Sequence, residues 1–257
     1  MTPILFLTAC VNPNGMAYTK LNNPEVRLQQ YKDALDWYLA NTKFRILLVE
    51  NSGYDFSDCY ASQIVDGRLE FLCFEGNDYD RSKGKGYGEA CIMEYGLDHA
   101  SMLNYPFSPT SEIIKVTGRL ICKNINEIYL RCHSKNTVYA NIGKDDWNGN
   151  ISGSQVLIAP VDFWKKCFMP LKEQINDSAH RHFEHVLYEA VEQWKNTGAH
   201  HREFWIPPRL EGISGTSGEA IHSTLSTSLL FQYRLMIVLH KLGYRGYLNP
   251  LYHGQQK

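Results

Sequence analysis

Polar side chains and glycines follow four apolar, strand-length runs of the sequence. The four sites are Thr8, Ala9 and Cys10, then Glu50, Asn51 and Ser52, then Lys83, Lys85 and Gly86, and finally Thr117, Gly118 and Arg119. In open parallel sheets, ligands bind beyond the carboxyl ends of the strands. Since all four sites carry polar groups or glycine, we expect them to form one ligand site at that edge of a sheet.

The run Lys-Gly-Lys-Gly-Tyr-Gly-Glu at residues 83–89 is the segment best suited to binding an anion. Glycines let backbone N–H groups approach an anion closely, a following helix presents a partly positive N-terminus, and two lysines add full charges. The run has neither the P-loop spacing nor the GxGxxG spacing of a dinucleotide fold. The sequence therefore predicts a Gly- and Lys-rich anion-binding loop here. The alternative is a solvated basic loop without a ligand.

The hydrophobic pattern predicts the elements that must position these sites. Apolar runs of strand length alternate with amphipathic segments of helix length, which is typical of βαβ units and a mainly parallel sheet. Strands are predicted at residues 4–10, 44–49, 69–74, 112–122, 137–142 and 155–159. Helices are predicted at residues 27–41, 89–103, 179–195 and 221–242. Neither a linker nor an internal repeat interrupts the chain, so we predict a single α/β domain over residues 1–257.

Composition excludes several classes of protein. The chain has 257 residues, of which 44% are hydrophobic, and 26 Lys and Arg against 27 Asp and Glu give a net charge of −1. An aromatic content of 12% argues against a disordered chain, and there is no global excess of cations for nucleic-acid binding. The seven cysteines form no CxxC pair, and no basic region precedes the apolar N-terminal run. We therefore expect a cytoplasmic protein with reduced thiols.

The order of these motifs resembles that of the GT-A glycosyltransferases, in particular the bacterial enzymes that build capsule and lipopolysaccharide chains. In that family the second strand ends in an acidic or amide pair, and this chain has Glu-Asn-Ser-Gly at residues 50–53. A segment patterned N-x-G-x-x-x-A-x-N-x-G then opens a helix, and residues 85–96 are similar to it. The resemblance covers residues 3–125. It implies a GT-A-like fold with a Rossmann-like nucleotide-binding half at residues 1–125 and an acceptor-binding half at residues 126–257.

The resemblance implies the ligands as well: a nucleotide-sugar donor and a glycan or lipid-linked acceptor, with transfer by inversion. In the family, the next strand carries a D-x-D motif that holds a divalent metal at the diphosphate. This chain has Thr-Gly-Arg at residues 117–119 instead. We therefore favour an enzyme that needs no Mn²⁺ or Mg²⁺ and in which Arg119 stabilises the leaving diphosphate. Three lysines are expected to assist it: Lys83, Lys85 and Lys115.

Two alternatives stay open for this part of the site. Arg119 is a strand-end residue, and such residues often pair with a surface carboxylate. Asp145 and Asp146 form an acidic pair that would replace the D-x-D carboxylates, although their Gly- and Asn-rich surroundings favour a solvated loop.

An inverting transfer needs a general base near the anomeric carbon. In inverting members of the family, the base comes from the N-terminal part of a helix that follows the sheet, and Glu184 matches this position. Glu189 and Glu192 on the same predicted helix are alternatives, as is a helix that only exposes acids to water. Three histidines precede and enter this helix, but their spacing spreads them around it, so we expect no zinc site. They are His180, His182 and His185.

The Gly-rich loop at residues 209–218 is the remaining candidate for ligand contact. The resemblance implies that such a C-terminal loop closes over the diphosphate or the sugar, and a plain surface loop is the alternative. Its candidate contact residues, with one histidine just after it, are Arg209, Ser214, Thr216 and His222.

The last part of the chain has an asymmetric charge. No acidic residue follows Glu219, while four cations do: Arg234, Lys241, Arg245 and Lys257. A basic, apolar C-terminal helix would suit peripheral contact with an anionic membrane on its inner face. Packing of this helix in the core is the alternative.

Two other functions remain compatible with the sequence. A sugar-phosphate nucleotidyltransferase shares the sheet but should carry a basic, Gly-rich signature after the first strand, and residues 8–14 contain no basic residue. A noncatalytic sugar- or nucleotide-binding module of a polysaccharide assembly is the second rival. Donor turnover separates such a module from an enzyme.

Overall fold

The computed structural model describes residues 3–16, 19–104, 111–132, 134–145, 149–215, 217–222 and 226–243. The strands are β1 (Ile4–Ala9), β2 (Arg45–Glu50), β3 (Leu69–Cys73), β4 (Glu112–Thr117), β5 (Ile121–Cys122), β6 (Thr137–Tyr139), β7 (Ile142–Lys144), β8 (Asn150–Ser152), β9 (Val156–Pro160), β10 (His200–Arg202), β11 (Leu210–Ile213) and β12 (Ala220–His222). The helices are α1 (Pro24–Asn41), α2 (Ala61–Val65), α3 (Gly84–His99), α4 (Ser101–Asn104), α5 (Ile125–Leu130), α6 (Val161–Phe163), α7 (Phe183–Asn196) and α8 (Thr227–Lys241).

Within these described residues, seven strands form the main sheet in the order β10-β6-β9-β4-β1-β2-β3. Strand β9 pairs antiparallel with both of its neighbours, and every other pairing in this sheet is parallel. The predicted α/β class with a mainly parallel sheet is therefore confirmed. Because β4, β1 and β2 are parallel neighbours, their carboxyl ends meet at one edge, as the placement of the polar sites predicted.

Helices pack on both faces of this sheet. Strand β1 alternates its side chains between two apolar clusters: Ile4 and Phe6 lie in a cluster with residues of α3 and α7, and Leu5 and Leu7 lie in another with residues of α1. All six residues of β1 are buried. A strand covered on both faces reads as a continuous apolar run rather than an alternating one, which explains the sequence of β1.

Local signals fix the helix that follows β1. Helix α1 begins after Asn23, whose side-chain oxygen accepts from the backbone N–H groups of Glu25 and Val26, and Pro24 occupies its first position. An amide cap followed by proline is a favourable helix start, because the cap satisfies free N–H groups and proline has none to satisfy. Tyr31 and Leu35 on the buried face of α1 cover the sheet.

Several predicted boundaries differ from the structure. The predicted loop at residues 83–88 is wrong, because helix α3 begins at Gly84 after a 3₁₀ turn over Arg81–Lys83. The predicted strand at residues 112–122 is two strands, β4 and β5, separated by a turn. The predicted strand at residues 137–142 ends at Tyr139.

The C-terminal helix is also shorter than predicted. Residues 220–222 form β12, which pairs antiparallel with β11, and α8 begins only at Thr227. Ser226 caps α8 by accepting from the N–H of Leu229. The apolar spacing of residues 221–225 continues that of α8, so helical periodicity could not separate the two. No described helix has both the length and the apolar character needed to span a bilayer.

Candidate functional site

A cavity of about 580 Å³ opens at the carboxyl ends of β1, β2 and β4. This volume lies within the range of roughly 300–1,000 Å³ that is usual for small-molecule sites. Ten of the predicted site residues line it: Thr8, Ala9, Cys10, Asn51, Lys85, Gly86, Thr117, Arg119, Glu184 and Ser214. The fold therefore brings these residues together around one cavity.

Five other predicted residues lie outside the cavity lining, as does Gly118. Lys83 instead donates to the carboxylate of Glu173 at 3.3 Å. Arg209 stands at the start of β11, where its N–H donates to Asn124. The remaining three bind other residues of the chain: Lys115 pairs with Glu89, and Glu50 and Ser52 bond to each other. Thr216, Asp146, Arg245 and Lys257 lie outside the described residues, as does the side chain of His222.

Glu50 organises the turns at the ends of β1 and β2 rather than facing the cavity. Its side chain is fully buried. The carboxylate accepts from the N–H groups of Val11 at 2.8 Å, Ser52 at 2.9 Å and Tyr54 at 3.0 Å. The Ser52 hydroxyl also donates to Glu50 and accepts from Asn12 N–H at 2.9 Å. Glu50 therefore satisfies backbone donors that would otherwise be buried without partners.

Asn51 follows Glu50 and lines the cavity. It is only 1% exposed, and its side-chain oxygen Oδ1 has no hydrogen-bond partner among the described residues. A buried acceptor without a donor is costly unless a ligand or water supplies one. Asn51 is thus suited to accept a hydrogen bond from a bound molecule.

A buried arginine supports the loop after β1. Arg27 is 5% exposed, and its guanidinium donates to the carbonyls of Cys10 and Val11, and to that of Leu21 at 3.0 Å. The hydroxyl of Tyr31 accepts a hydrogen bond from the N–H of Cys10 at 2.9 Å. Burial raises the pKa of the Cys10 thiol to about 11, so this cysteine is a neutral lining group rather than a thiolate nucleophile.

The glycines of the 83–88 segment serve helix packing. A Cβ at Gly84 would lie 1.9 Å from a carboxylate oxygen of Asp177, one at Gly86 would lie 2.9 Å from Cβ of Phe183, and one at Gly88 would lie 2.2 Å from the hydroxyl of Tyr79. Each glycine therefore admits a side chain from another segment against α3. Lys85 is exposed and borders the cavity, so the segment supplies one lysine to the site.

Arg119 is a buried cation at the end of β4. It is 9% exposed, and one guanidinium nitrogen donates to the carbonyl of Ile213 at 2.9 Å and to Gln30 at 3.3 Å. Its Nε has no partner, and it forms no ion pair with any described carboxylate. The alternative that Arg119 pairs with a surface carboxylate is thus not what the described residues show. A buried guanidinium without a counterion favours an anionic ligand.

Gly118 allows the end of β4 to approach β1. Its N–H donates to the carbonyl of Thr8 at 3.0 Å, and a Cβ there would lie 2.5 Å from the same oxygen. Any side chain would push the strands apart. Gly118 therefore fixes the backbone that carries Arg119 into the cavity.

The floor of the site contains a buried ion pair that sequence reasoning missed. The ammonium of Lys115, which is fully buried, lies 2.6 Å from a carboxylate oxygen of Glu89. The same oxygen accepts from the hydroxyls of Thr8 at 2.9 Å and Thr117 at 3.2 Å. Burial alone would raise the pKa of Glu89, but the charge of Lys115 and these hydrogen bonds hold it below its usual value. Lys115 is therefore committed to Glu89, which itself lines the cavity.

The start of α7 brings two histidines and two acids to the cavity wall. Asp177 Oδ1 lies 2.9 Å from His182 Nδ1, and the hydroxyl of Ser154 donates to Glu184 at 2.6 Å. Asp177, His182, Glu184 and Ser154 all line the cavity. The sequence predicts no zinc site at these histidines, and no role for Asp177 was predicted. No group of three metal-ligating side chains occurs among the described residues.

Comparisons with known proteins give a broad fold similarity. No model of a protein family and no curated protein matches the chain. The solved structure titled galactosyltransferase LgtC in complex with donor and acceptor sugar analogs is 11% identical, with a TM-score of 0.42, over 77% of this chain and 73% of that one.

Two nucleotidyl-transferring enzymes are similar to the same degree. A 4-diphosphocytidyl-2C-methyl-D-erythritol synthase is 11% identical with a TM-score of 0.38, over 91% of this chain and 98% of that one. A cytidylyltransferase from Leptospira borgpetersenii serovar Hardjo-bovis is 11% identical with a TM-score of 0.41, over 100% and 94%. Similarity this low carries no argument about activity, so the function must be argued from the site.

Proposed function

We propose that this protein is a transferase that moves a sugar from a nucleoside diphosphate donor to a hydroxyl group of a glycan or lipid-linked acceptor. The observation that carries the proposal is Arg119, a buried cation that lines the cavity at the strand ends and forms no ion pair with a described carboxylate. A leaving diphosphate develops negative charge as the sugar departs, and a fixed guanidinium stabilises that charge without a metal.

Other parts of the cavity support the same assignment. Asn51 offers an unpaired acceptor for a hydroxyl or an N–H of the nucleoside, and Lys85 adds a second cation at the rim. Glu89 is held as a carboxylate and can accept from sugar hydroxyls. Two side chains that can accept a proton line the cavity at the start of α7: Glu184, which the sequence analysis predicts as the general base, and His182.

A thermal-shift panel of UDP, GDP, CMP and dTDP, each with and without Mn²⁺, tests this proposal. A ligand that binds only the folded state raises the melting temperature by mass action. We expect one nucleoside diphosphate to raise it without Mn²⁺. No shift with any nucleotide would contradict the proposal, and a shift that requires Mn²⁺ would contradict the role given to Arg119.

One observation favours a sugar-phosphate nucleotidyltransferase as the second candidate. Such enzymes need a cation after the first strand; residues 8–14 lack one, but Arg27 brings its guanidinium to the carbonyls of this loop. Incubation with a nucleoside triphosphate and a sugar 1-phosphate would release pyrophosphate for this function. Release of a nucleoside diphosphate from a nucleotide sugar would instead support sugar transfer, and binding without either turnover would support a noncatalytic module.

The setting in capsule or lipopolysaccharide synthesis, at the inner face of a membrane, belongs to the same proposal. It is supported by the apolar side chains that α8 exposes beside Arg234 and Lys241. A lipid-linked acceptor would lie at such a surface.

A further inference from the structure

We propose that His182 accepts the proton of the attacking hydroxyl and that Asp177 orients it for this role. The inference deepens the proposed sugar transfer and rests on it. Its basis is a pair of Asp–His contacts at the start of α7, one of which borders the cavity.

The Asp177–His182 contact fixes which imidazole nitrogen is available. Asp177 Oδ1 lies 2.9 Å from Nδ1 of His182, and an ionised carboxylate can only accept, so Nδ1 carries the hydrogen. In the neutral ring, the lone pair then lies on Nε2. The side chain of Asp177 is 9% exposed while that of His182 is 42% exposed, so the acid is buried behind a base that solvent and ligand can reach.

A second pair holds the neighbouring ring in the opposite tautomer. The backbone N–H of His182 donates to Nδ1 of His185 at 3.1 Å, so that nitrogen is unprotonated. Nε2 of His185 lies 2.8 Å from Asp145 Oδ2 and carries the hydrogen. The rings of His182 and His185 stack with centroids 5.5 Å apart. This arrangement restricts how the His182 ring can turn.

Packing against α3 fixes the position of Asp177. Its Oδ2 occupies the space where a side chain at Gly84 would begin, at 1.9 Å from that Cβ position. Asn176 caps the turn that carries Asp177 by accepting from the N–H of Ala179. Asp177 is therefore held between the starts of α3 and α7, and His182 follows it.

The other carboxylates of the cavity are less suited to accept a proton. Glu89 accepts from Lys115, Thr8 and Thr117, and these contacts stabilise its ionised form against protonation. One carboxylate oxygen of Glu184 already accepts a hydrogen bond from the hydroxyl of Ser154 at 2.6 Å. An imidazole has a proton affinity better matched to neutral pH than a carboxylate has.

The proposed step moves one proton to His182 and one glycosyl group to the acceptor oxygen. Nε2 of His182 takes the proton from the acceptor hydroxyl, whose oxygen forms a bond to the anomeric carbon. The bond from that carbon to the diphosphate oxygen breaks, and its electron pair leaves on the nucleoside diphosphate beside Arg119. The imidazolium of His182, stabilised by Asp177, returns the proton to water.

Imidazole ¹⁵N NMR tests the geometry without any ligand. In the uniformly ¹⁵N-labelled protein near neutral pH, we expect His182 to carry hydrogen on Nδ1 and His185 to carry it on Nε2. Assignment uses His182→Gln and His185→Gln. A neutral His182 with its hydrogen on Nε2 would overturn the proposal, because the lone pair would then face Asp177.

Kinetics test the chemical role, with UDP-, GDP- and dTDP-hexoses as donors, water as acceptor and nucleoside diphosphate release as the readout. His182→Ala should lower kcat by about 100-fold or more, and added imidazole should restore part of it. Asp177→Asn should lower kcat with little change in KM, because it changes the preferred tautomer. His182→Ala should keep the nucleotide thermal shift. If no nucleotide raises the melting temperature of wild type, the proposed function is contradicted. If His182→Ala keeps both the thermal shift and full activity, only the role of His182 as the base is overturned.

The pH profile separates His182 from Glu184. Wild-type kcat/KM should fall as the pH is lowered, because only the neutral imidazole accepts a proton, and His182→Ala should lose this limb. Glu184→Gln should keep the limb whatever its rate. The groups that face His182 or share its cavity wall and can influence this limb are Asp177, His180, His185 with Asp145, Glu184 and Lys85. Loss of the limb in Glu184→Gln and its retention in His182→Ala would overturn the proposal.

Discussion

Arg119 shows how one side chain can define the character of a site. A guanidinium that is 9% exposed normally requires a carboxylate, and the described residues provide only neutral acceptors, Ile213 and Gln30. The burial of this charge is therefore best offset when an anion binds. The positive charge is part of the fold, whereas a metal would have to be recruited.

Replacing Arg119 by Gln should weaken binding of the nucleoside diphosphate by about 10- to 100-fold, since hydrogen bonds to charged groups contribute roughly 1.5–3 kcal/mol. Arg119→Lys should bind with intermediate affinity, because it keeps the charge but loses the planar fork. Calorimetric titration measures both. Arg131→Gln is the matched control, since Arg131 is exposed and forms a surface ion pair with Glu127 at 3.5 Å. Equal affinities of Arg119→Gln and Arg131→Gln would refute the assignment.

The Lys115–Glu89 pair makes a prediction about stability. Removing the cation in Lys115→Met leaves Glu89 without its counterion and should cost about 3–5 kcal/mol at neutral pH. The pKa of Glu89 is lowered in the folded protein, so its contribution to stability is present at neutral pH and is lost as the pH falls. In Lys115→Met, burial without the opposing charge should raise the pKa of Glu89, so that this carboxyl takes up a proton at a higher pH than in wild type. The difference in stability from wild type should therefore shrink between pH 7 and pH 4, as measured by urea unfolding.

The control for this prediction is Lys195→Met. Lys195 forms a partly exposed i,i+3 pair with Glu192 at 2.9 Å, and such pairs contribute about 1 kcal/mol or less. A difference between wild type and Lys115→Met that stays constant with pH would show that Glu89 is not held ionised by Lys115.

At the scale of elements, the start of α3 is defined by what packs against it. Its glycines leave room for Asp177, Phe183 and Tyr79, so the segment that looks like an anion-binding loop is a helix surface shaped for close contact. Helix α7 begins at this contact, with His182 as its N-cap residue. The position of the proposed base thus depends on the packing of α7 against α3.

Gly84→Ala tests this dependence. Gly84 has a φ of +77°, and its Cβ position is occupied by Asp177, so alanine adds both backbone strain and a clash. Gly198→Ala is the matched control, because Gly198 has a φ of +83° but no atom within 4 Å of its Cβ position. We expect Gly84→Ala to cost about 1–3 kcal/mol more than the control in chemical unfolding.

A double-mutant cycle completes the test. Adding Asp177→Ala to Gly84→Ala removes the clashing carboxylate and should recover most of this excess cost. If the two substitutions are additive, Asp177 does not fill the space at Gly84.

At the scale of the whole molecule, charge and apolar surface are unevenly distributed. Helix α8 exposes Phe231 (70%), Leu235 (47%) and Val238 (42%), and Leu242 just after it is 68% exposed. The opposite part of α8 packs through Tyr233, Met236 and Ile237. One side of α8 is therefore packed in the protein, as the core-packing alternative expects, and the other side exposes apolar residues, as the membrane hypothesis requires.

Membrane contact through this surface should depend on the cations in the C-terminal part of the sequence. Wild type should sediment with vesicles that contain anionic phospholipid, and Lys241→Glu with Arg245→Glu should reduce binding at least about 10-fold, since each cation contributes about 1 kcal/mol near such a surface. Lys166→Glu with Lys195→Glu reverses two charges outside α8 and should bind like wild type. Equal sedimentation of all three proteins would remove the membrane role.

Local patterns in the sequence are enough to predict the class of fold and the edge of the sheet at which the cavity opens. Strand-length apolar runs, such as residues 4–10, reflect burial on both faces of a sheet, and the polar residues after them mark the strand ends. These are local properties of the chain, because backbone geometry ties residue spacing to element type. Thr8, Asn51, Thr117 and Arg119 could be placed in the site on this basis.

The pairing of side chains around that cavity depends instead on tertiary packing. Lys115 was expected to bind phosphate and instead neutralises Glu89, which lies 26 positions away in the sequence (115 − 89). Asp177 faces both His182 and Gly84, a contact that follows from how α7 packs against α3. The same holds for β12, whose residues continue the periodicity of α8 but pair with β11. Such contacts depend on packing between distant segments, and no local spacing in the sequence encodes them.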